Sequence, residues 1–437
     1  MPAVLAAPFV IAVAALHGLT VALPIFHGSD ERAYQLPTIL RFGAQLPFPD
    51  LGHYPAAQTP LLHLLLAYAG KLIGYEPWRL RLVEVLISYG LALALHSLLH
   101  RRLALGRCPA LVLTLLFVLS PYVFGSSFRI ITDNLATLFV VIAIERLERY
   151  RETRRLGPFA AACASIAAAM LTRQSTAFML ALAGLYALRA GASWRVRGPA
   201  LGLIGLAALP VGALFLTWHG LVPPGGDPSS CGLCPAGRAG SRSAHGILEV
   251  QAPELTLATI GLYGTVLFVP LLARRAAPDP RGPVARPAAL LRAARVGVGI
   301  GDVRGALACA VAGALLLVIW PATPGSHAAG LLWNAARRLP AIGGTSLLFW
   351  VLVPLAGAVL WARIRAAPRR WSVIAFLGCF LLSALAIRYP WQKYVDPFAL
   401  LALLLTVAPG ELRGARELAG AAVLGAGFVA YALSFVV

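Results

Sequence analysis

Four short polar clusters interrupt an otherwise apolar chain, and each stands at the end of a hydrophobic segment. They are Ser-Asp-Glu-Arg at 29–32, Thr-Asp-Asn at 132–134, Thr-Arg-Gln at 172–174 and Arg-Tyr-Pro-Trp-Gln-Lys-Tyr-Val-Asp-Pro at 388–397. Carboxylates such as those of the first two clusters remove protons from hydroxyl groups, and cations such as those of the last two hold phosphates. The clusters therefore predict chemistry at a water–lipid boundary, provided that the apolar segments bring them to one side of a membrane.

The composition of the chain indicates an integral membrane protein. Of its 437 residues, 59% are hydrophobic and only 12% are charged, and the mean hydropathy is +0.78, whereas soluble proteins are about 25% charged. Apolar runs of about 17–25 residues predict transmembrane helices. About thirteen such runs are present, near 3–25, 78–99, 109–125, 132–147, 158–172, 174–190, 199–218, 253–273, 305–321, 344–362, 371–387, 395–409 and 417–437. The predicted fold class is all-α, a polytopic helical membrane protein in which residues 1–437 form a single transmembrane domain.

The net charge of +20 is explained by membrane topology and not by nucleic-acid binding. With the N-terminus inside, most of the 37 Lys and Arg residues fall in the loops around 100–107, 146–155, 189–197, 274–304, 363–370 and 413–416. Positive charge retained in the cytoplasm orients helical membrane proteins, so the four polar clusters are predicted to face outward. No basic residue precedes Arg32, and the first apolar segment is interpreted as a retained helix, not as a cleaved signal peptide.

Four segments have predicted structures that a simple alternation of transmembrane helices and short loops does not describe. The first outer loop, 26–77, contains apolar stretches at 34–40 and 61–68 that predict two short helices on the membrane surface. A hairpin that turns at 172–174 would keep both basic flanks of the segment 158–190 inside. The outer loop 219–252 is rich in Gly, Pro and Ser and is predicted to be irregular. The basic inner loop 274–304 fits either an amphipathic helix on anionic lipid or a solvated connector.

The six cysteines indicate no catalytic chemistry. Four of them are isolated in or beside apolar segments, where a thiol behaves as a small hydrophobe: Cys108, Cys163, Cys309 and Cys379. Cys231 and Cys234 share the loop predicted to lie outside, where a disulfide between them is compatible with an oxidising compartment. A redox role would need a thioredoxin-like context, which the sequence lacks.

Asp30 and Asp133 are the candidate acids for proton transfer. Asp30 follows the first apolar segment directly and is predicted to act as a general base toward an acceptor hydroxyl. Asp133 begins a later helix and is predicted to raise the pKa of a neighbouring acid or to orient the acceptor. Each has a simpler alternative, because Asp is a common N-terminal cap of a helix.

The cations of the last two clusters are candidate phosphate ligands. Arg173 precedes Gln174, and the final cluster holds Arg388 and Lys393 among three aromatic residues. Snorkelling cations and an interfacial aromatic belt are the alternative explanation. Suppose that a sugar moves from a lipid phosphate to a hydroxyl group. Negative charge then grows on the departing phosphate, and cations at that point stabilise the transition state more than the ground state.

The order of these motifs resembles the GT-C superfamily of polytopic glycosyltransferases that use polyprenyl-phosphate sugars. The likeness rests on Asp30-Glu31 at the start of a large outer loop, on Tyr-Pro-Ala-Ala-Gln-Thr-Pro-Leu at 54–61 and on Arg173-Gln174-Ser175. Thr-Asp-Asn-Leu-Ala-Thr-Leu-Phe at 132–139 is similar to a segment of protein O-mannosyltransferases and aminoarabinose transferases. With Arg388-Tyr389, the whole pattern is most similar to bacterial relatives of the dolichyl-phosphate-glucose α-1,2-glucosyltransferase.

The resemblance implies a role for each matching residue. Asp30 would be the base, supported by Glu31, and Asp133 would be a second acid near the acceptor. Arg173, Arg388 and Lys393 would bind the donor phosphate. Substrate contacts would come from the neighbouring polar and aromatic residues Tyr34, Tyr54, Gln58, Gln174, Tyr389, Gln392 and Tyr394.

The resemblance also implies the partners and the setting of the reaction. A polyprenyl-phosphate sugar would be the donor and a lipid-linked or envelope glycan the acceptor. The enzyme would invert the anomeric centre on the outer face of a bacterial inner membrane. Because Asp-X-Asp metal motifs are absent, a reaction without metal or other cofactor is expected. The polar outer motifs of the eukaryotic glucosyltransferase are also missing, so the sugar is left open.

Two other functions fit parts of the pattern. A lipid-glycan flippase or other transporter also has many spans, but transporters tend to carry polar sites near the midplane and internal repeats. A polysaccharide polymerase would depend more on Arg238 and Arg242 in the loop 219–252. Because the acids stand at helix ends, the sequence favours the glycosyltransferase.

Overall fold

The computed structural model describes residues 2–19, 30–189, 194–226, 251–276, 300–323, 329–387, 390–412 and 414–433. Outside these residues lie two candidate site residues, Arg388 and Tyr389, and the cysteine pair Cys231 and Cys234. Most of the predicted loops 219–252 and 274–304 lies outside them as well. Most of the described residues are helical, which confirms the all-α prediction.

Nine helices make up the N-terminal half of the described chain. Their bounds are α1 Pro2–Leu19, α2 Leu36–Gln45, α3 Leu61–Ile73, α4 Pro77–Ser97, α5 Arg107–Val118, α6 Pro121–Ser126, α7 Asp133–Thr153, α8 Leu156–Thr172 and α9 Phe178–Arg189. Three shorter helical turns adjoin them. These are π-helical turns at Glu31–Gln35 and Leu98–Arg102 and a 3₁₀ turn at Gln174–Ala177.

Eight further helices and one small hairpin follow among the described residues. The helices are α10 Trp194–Trp218, α11 Gln251–Ala276, α12 Ile300–Ile319, α13 Leu331–Ala336, α14 Leu347–Ala366, α15 Arg370–Ala384, α16 Gln392–Leu405 and α17 Ala415–Leu433. The strands β1 Ala341–Ile342 and β2 Thr345–Ser346 pair antiparallel between α13 and α14.

The apolar segments of the sequence match helices of the structure. Each of the thirteen predicted spans overlaps a helix, and four described stretches are long and apolar enough to cross a membrane by length and composition. These four are Pro77–Arg102, Trp194–Trp218, Gln251–Pro270 and Leu347–Ala366. The chain therefore has the build of an integral membrane protein, while the number of thirteen crossings stays a prediction.

One predicted span is interrupted, and a second apolar segment breaks within the turn that the sequence predicted at 172–174. The segment near 109–125 breaks at Ser120, which is extended (φ −56°, ψ 137°), because a residue before proline avoids the helical region and Pro121 starts the next helix. The long segment 158–190 breaks at Arg173, which is also extended (φ −155°, ψ 114°), directly after α8 ends. The second break places Arg173 at a corner between α8 and the following 3₁₀ turn.

The first outer loop contains the two short helices that the sequence predicted, α2 and α3. Pro60 is the N-cap residue of α3, as expected for proline at a helix start. The apolar faces of both helices pack against α4, the segment before α7 and the end of α10, through a core that includes Phe42, Leu66, Ile130 and Trp218. Phe48 and Leu72 are 91% and 87% exposed. Large exposed apolar side chains fit a membrane surface, and that placement stays a prediction.

The main core joins α7, α8, α9, α11, α14, α15 and α16. Close contacts between helix backbones are possible where glycine removes the side chain. At Gly261 of α11, any Cβ would collide with the carbonyl group of Leu352 in α14. Helices so tightly packed form a rigid frame for the side chains at their ends.

A network of ion pairs fixes the end of α7 that lies about 30 Å from Asp133. Glu148 is 1% exposed and accepts a hydrogen bond of 2.5 Å from Tyr186 on α9. Arg369, just before α15, lies 2.9 Å from Glu148. Arg102 lies 2.7 Å from Glu145. These pairs tie α7 to α9 and α15, and α7 and α15 also carry residues that line the cleft described below.

Candidate active site

A cleft of about 730 Å³, counted with the space at its open mouth, lies at the end of the helix bundle where α7 begins. Its walls come from α7, the turn after α8, α15 and α16. The lining residues are Gln58, Asp133, Ala136, Thr137, Arg173, Gln174, Ser175, Phe380, Ser383, Ile387, Lys393, Tyr394, Pro397 and Phe398. Charged side chains and an apolar wall thus share one cavity.

Asp30 meets the last polar cluster through Lys393. The Lys393 Nζ atom lies 3.3 Å from Asp30 Oδ2. Asp30 is the N-cap residue of the π-helical turn, but its side chain makes no capping hydrogen bond. The geometry therefore favours a role for the carboxylate in the charge pair over the capping alternative.

Asp133 meets the third polar cluster through Arg173. An Arg173 Nη1 atom donates to Asp133 Oδ1 and lies 3.4 Å from Thr132 Oγ1. Thr132 is the N-cap residue of α7, and its side chain makes no capping hydrogen bond. Asp133 and Arg173 are only 12% and 14% exposed. Ion pairs gain strength when they are removed from water, so this pair holds the turn after α8 against the start of α7.

Tyr394 connects the two cations. The Arg173 Cζ atom lies 4.5 Å from the centroid of the Tyr394 ring, and Lys393 Nζ lies 5.2 Å from the same centroid. Lys393 also lies 4.4 Å from the Trp391 ring centroid. A cation is attracted by the face of an aromatic ring. With the two ion pairs, these contacts bring all four polar clusters of the sequence together.

Lys393 is charged in this arrangement. Burial acts to lower its pKa, but the acidic groups around it, Tyr394, Asp133 and Asp30, outweigh burial and raise the pKa above its ordinary value. The two carboxylates, Asp30 and Asp133, and the two cations, Lys393 and Arg173, thus carry charges that sum to zero. We call these four residues with Tyr394 the charge array.

Glu31 occupies a different position from Asp30. It is 4% exposed, and Arg81 Nη2 lies 2.5 Å from its Oε1 atom. Its Oε2 atom accepts a hydrogen bond of 3.2 Å from the Ile130 peptide N–H group. Arg129 stands beside the same carboxylate, and burial lowers the pKa of Arg129 to about 10 against the attraction of Glu31. Neither acid is among the residues that line the cleft: Asp30 reaches it through the lining residue Lys393, whereas Glu31 anchors the first polar cluster to α4 and to the segment before α7.

Three residues predicted to contact substrate lie outside the lining of the cleft. Tyr54 is completely buried and donates a hydrogen bond of 2.9 Å to the Gln58 carbonyl oxygen. Gln392 is also completely buried, and its Oε1 atom accepts a hydrogen bond of 2.9 Å from the Leu332 peptide N–H group. Tyr34 is partly buried and packs on the core of the first loop. These placements indicate that all three residues stabilise the backbone and the core next to the cleft and do not face it.

Gln58, Gln174 and Tyr394 do line the cleft. The Gln174 Nε2 atom donates hydrogen bonds of 2.8 Å to the Ala57 carbonyl and 3.3 Å to the Leu221 carbonyl. Gln174 thus joins the turn after α8 to the first outer loop. Gln58 and Arg173 line the same cavity.

The structure adds residues that the sequence analysis did not select. Phe380, Ser383 and Phe398 line the cleft from α15 and α16, but in sequence they look like ordinary members of an apolar helix. Asp396 is completely buried and accepts a hydrogen bond of 3.0 Å from Ser120, as well as one from Tyr263. The sequence could have indicated this buried network, because a carboxylate inside an apolar helix, such as that of Asp396, needs hydrogen-bond partners.

No group of three His, Cys, Asp or Glu side chains suited to a metal ion occurs within the described ranges. The expectation of a reaction without metal or other cofactor stays a prediction. The charge array itself has two chemical capacities. Its carboxylates can accept a proton, and its cations can hold an anionic group at the mouth of an apolar cavity.

The chain matches a known family over part of its length. Residues 57–218 match the sequence profile of the family described as dolichyl-phosphate-mannose-protein mannosyltransferase. This segment contains Gln58, Asp133, Arg173 and Gln174. A search of curated proteins found no match.

Two crystal structures of ArnT from Cupriavidus metallidurans are similar to the chain. One is bound to undecaprenyl phosphate and shares 16% identity, and the other is in the apo state and shares 14% identity. Each comparison covers 92% of this chain and 78% of the other, with a TM-score of 0.40. The match to the mannosyltransferase family confirms, over residues 57–218, the resemblance to GT-C glycosyltransferases that the sequence motifs indicated.

Proposed function

We propose that the protein is a membrane glycosyltransferase that moves a sugar from a polyprenyl-phosphate donor to a hydroxyl group of a lipid-linked or envelope glycan. One observation carries the proposal: residues from all four polar clusters meet in a single charge array at the mouth of a cleft with an apolar wall. The family match over residues 57–218 supports the same class of reaction.

The cleft suits a donor with a charged head and an apolar tail. Arg173 and Lys393 stand at the polar side, and Phe380, Pro397 and Phe398 form part of the apolar side. Arginine binds phosphate oxygens with two donors at once, and lysine supplies a mobile point charge. An isoprenoid chain gains free energy by leaving water for such an apolar wall. The donor phosphate would therefore lie between the two cations, with its lipid chain along the aromatic residues.

The proposed reaction is a displacement at the anomeric carbon of the sugar. The acceptor oxygen forms a bond to this carbon on one face while the bond to the phosphate oxygen breaks on the other, so the configuration inverts. The electron pair of the broken bond leaves with the phosphate, which becomes a polyprenyl phosphate monoester. Arg173 and Lys393 stabilise this growing charge. The proton of the acceptor hydroxyl passes to Asp30.

The Lys393–Asp30 ion pair places the proposed base beside a cation of the donor site. An entering phosphate would compete with Asp30 for the Lys393 ammonium group, because both anions need the same cation. When Lys393 turns to the phosphate, the Asp30 carboxylate would be released to meet the acceptor hydroxyl group. Asp133 would keep Arg173 in place at the other end of the array.

The proposed location is the extracytoplasmic face of a bacterial inner membrane. The basic loops predict that the array lies opposite the cytoplasm. A lipid-borne donor and a lipid-linked acceptor would then meet at the same membrane surface. Candidate residues Arg388 and Tyr389 adjoin the array in sequence and are proposed to complete the donor site.

A transfer assay in lipid vesicles tests this function. Purified protein would be incubated with radiolabelled polyprenyl-phosphate sugars and a membrane extract as the source of acceptor, beside an Asp30→Asn variant. We expect label in a new product with the wild-type protein alone. Label that crosses the bilayer without entering a product would instead support a lipid-glycan flippase. Extension of a long polymer would support the polymerase alternative.

A further inference from the structure

A row of hydrogen bonds leads from a buried histidine to the cleft. His63 on α3 is completely buried, and its Nε2 atom lies 2.6 Å from Gln35 Oε1. Gln35, which is 3% exposed, donates from Nε2 to Gln58 Oε1 at 2.9 Å. Gln58 in turn lines the cleft beside Arg173 and Gln174. The row therefore joins a surface helix of the first loop to the proposed substrate cavity.

The direction of each bond in this row follows from the groups involved. An amide oxygen only accepts hydrogen bonds, so the His63 Nε2 atom carries the proton that points to Gln35. Burial lowers the pKa of His63 to about 3, far below its ordinary value of 6.5, so the ring is neutral at neutral pH. The Gln58 Oε1 atom accepts the hydrogen bond from Gln35, so this bond fixes which end of the amide carries the NH₂ group.

The surrounding contacts hold Gln58 in place. The Tyr54 hydroxyl group bonds to the Gln58 carbonyl oxygen at 2.9 Å, and Gln174 bonds to the preceding carbonyl of Ala57 at 2.8 Å. Both the backbone and the side chain of Gln58 are thus fixed before any ligand arrives. Fixed polar groups give the greatest discrimination between ligands, because a mismatched ligand leaves them without a hydrogen bond.

We infer that His63 and Gln35 position the Gln58 amide to hydrogen-bond with a hydroxyl group of the donor's sugar. This inference rests on the proposed function and assigns the recognition of the sugar within the same cleft. The phosphate has two cations at hand, Arg173 and Lys393, whereas a neutral amide matches a neutral hydroxyl group. The oxygen of a sugar hydroxyl group can accept a hydrogen bond from the NH₂ group of such an amide. Gln58 would contact the sugar, and His63 and Gln35 would be positioning residues.

The test separates sugar recognition from phosphate binding. Dissociation constants would be measured in one detergent for two ligands, undecaprenyl phosphate and the polyprenyl-phosphate sugar that the transfer assay identifies. The variants are Gln58→Ala, His63→Leu and His63→Gln. Glutamine can reproduce the N–H donor of His63, whereas leucine cannot. Arg173→Gln serves as the control for the phosphate.

We expect Gln58→Ala and His63→Leu to weaken binding of the sugar-bearing lipid about tenfold or more, with undecaprenyl phosphate bound as in the wild type. His63→Gln should bind the sugar-bearing lipid more tightly than His63→Leu does, close to the wild-type affinity. Arg173→Gln should weaken binding of both lipids. Equal losses for the two lipids in Gln58→Ala would overturn the inference and leave the proposed function standing. Unchanged binding of both would overturn it as well. A wild-type protein that binds neither lipid would overturn the proposed function together with it.

Discussion

Lys393 Nζ lies 3.3 Å from Asp30 Oδ2, although 363 residues separate the two along the chain. The pair joins the start of the first outer loop to the start of α16. It also neutralises the residue proposed as base in the absence of a donor.

Replacing Asp30 with asparagine should lower the transfer rate by about 100-fold or more, because general base catalysis typically contributes at least that factor. Asparagine keeps the shape of the side chain, so binding of the donor should persist. Single-turnover transfer of label and donor binding would be measured on the same preparation. Asp50→Asn is the matched control, since Asp50 is an exposed acid of the same loop that pairs with Arg41. A wild-type rate in Asp30→Asn would remove Asp30 from the mechanism.

Tyr394 should matter through its ring and not through its hydroxyl group. Its ring lies near both Arg173 and Lys393, and a cation–ring contact is worth about 0.5–2 kcal/mol. Tyr394→Phe should therefore keep the donor KM close to that of the wild type, while Tyr394→Leu should raise it about 3- to 30-fold. Steady-state kinetics with varied donor would show the difference. A rise of equal size in both variants would assign the effect to the hydroxyl group instead.

Glu31→Gln should reduce stability more than it reduces catalysis. The carboxylate is buried against Arg81 and accepts the Ile130 N–H group, and weakening such a charged hydrogen bond costs about 1–3 kcal/mol. Thermal unfolding in detergent should show a lower midpoint for this variant. The rate of transfer at a temperature well below that midpoint should fall far less than in Asp30→Asn. A loss of transfer as large as that of Asp30→Asn, at unchanged stability, would show that Glu31 takes part in the reaction.

Acid should destabilise the first outer loop through His63. The folded pKa of His63 is about 3, whereas the unfolded value is near 6.5. Between these values the unfolded chain binds more protons, so the free energy of unfolding is at its full value above pH 6.5 and falls as pH drops toward 3. Unfolding midpoints between pH 8 and pH 5 would be compared for wild type and His63→Gln. The variant, which lacks this proton site, should show the weaker pH dependence; parallel curves would contradict the assignment.

The sequence was sufficient for the helices and for the meeting of the polar clusters. Apolar runs predicted the helices, and the distribution of basic loops predicted that Asp30, Asp133, Arg173 and Lys393 lie on one side of the membrane. It did not reveal the pairing within the array, because the partner of Asp30 is hundreds of residues away and no local pattern encodes that contact.

The supporting residues were harder to predict than the charges. In the sequence, Phe380 and Phe398 look like any other apolar residue of a helix. Only the packing of α15 against α16 shows that they line a cavity. Tyr54 and Gln392 were selected as polar residues beside motifs, yet both are completely buried. Polarity and proximity in sequence do not distinguish a side chain that faces substrate from one that holds the backbone behind it.

The cancelling charges of the array have a consequence for which anions it can capture. A phosphate dissolved in the surrounding water must displace Asp30 or Asp133 from a cation, and at ordinary concentrations it gains little by doing so. A phosphate carried on a lipid is confined to the membrane surface, where its effective concentration beside the cleft is far higher. The apolar wall adds binding energy that a free anion lacks. If the array binds the donor phosphate as proposed, it would therefore select a phosphate carried on a membrane lipid over one dissolved in the surrounding water.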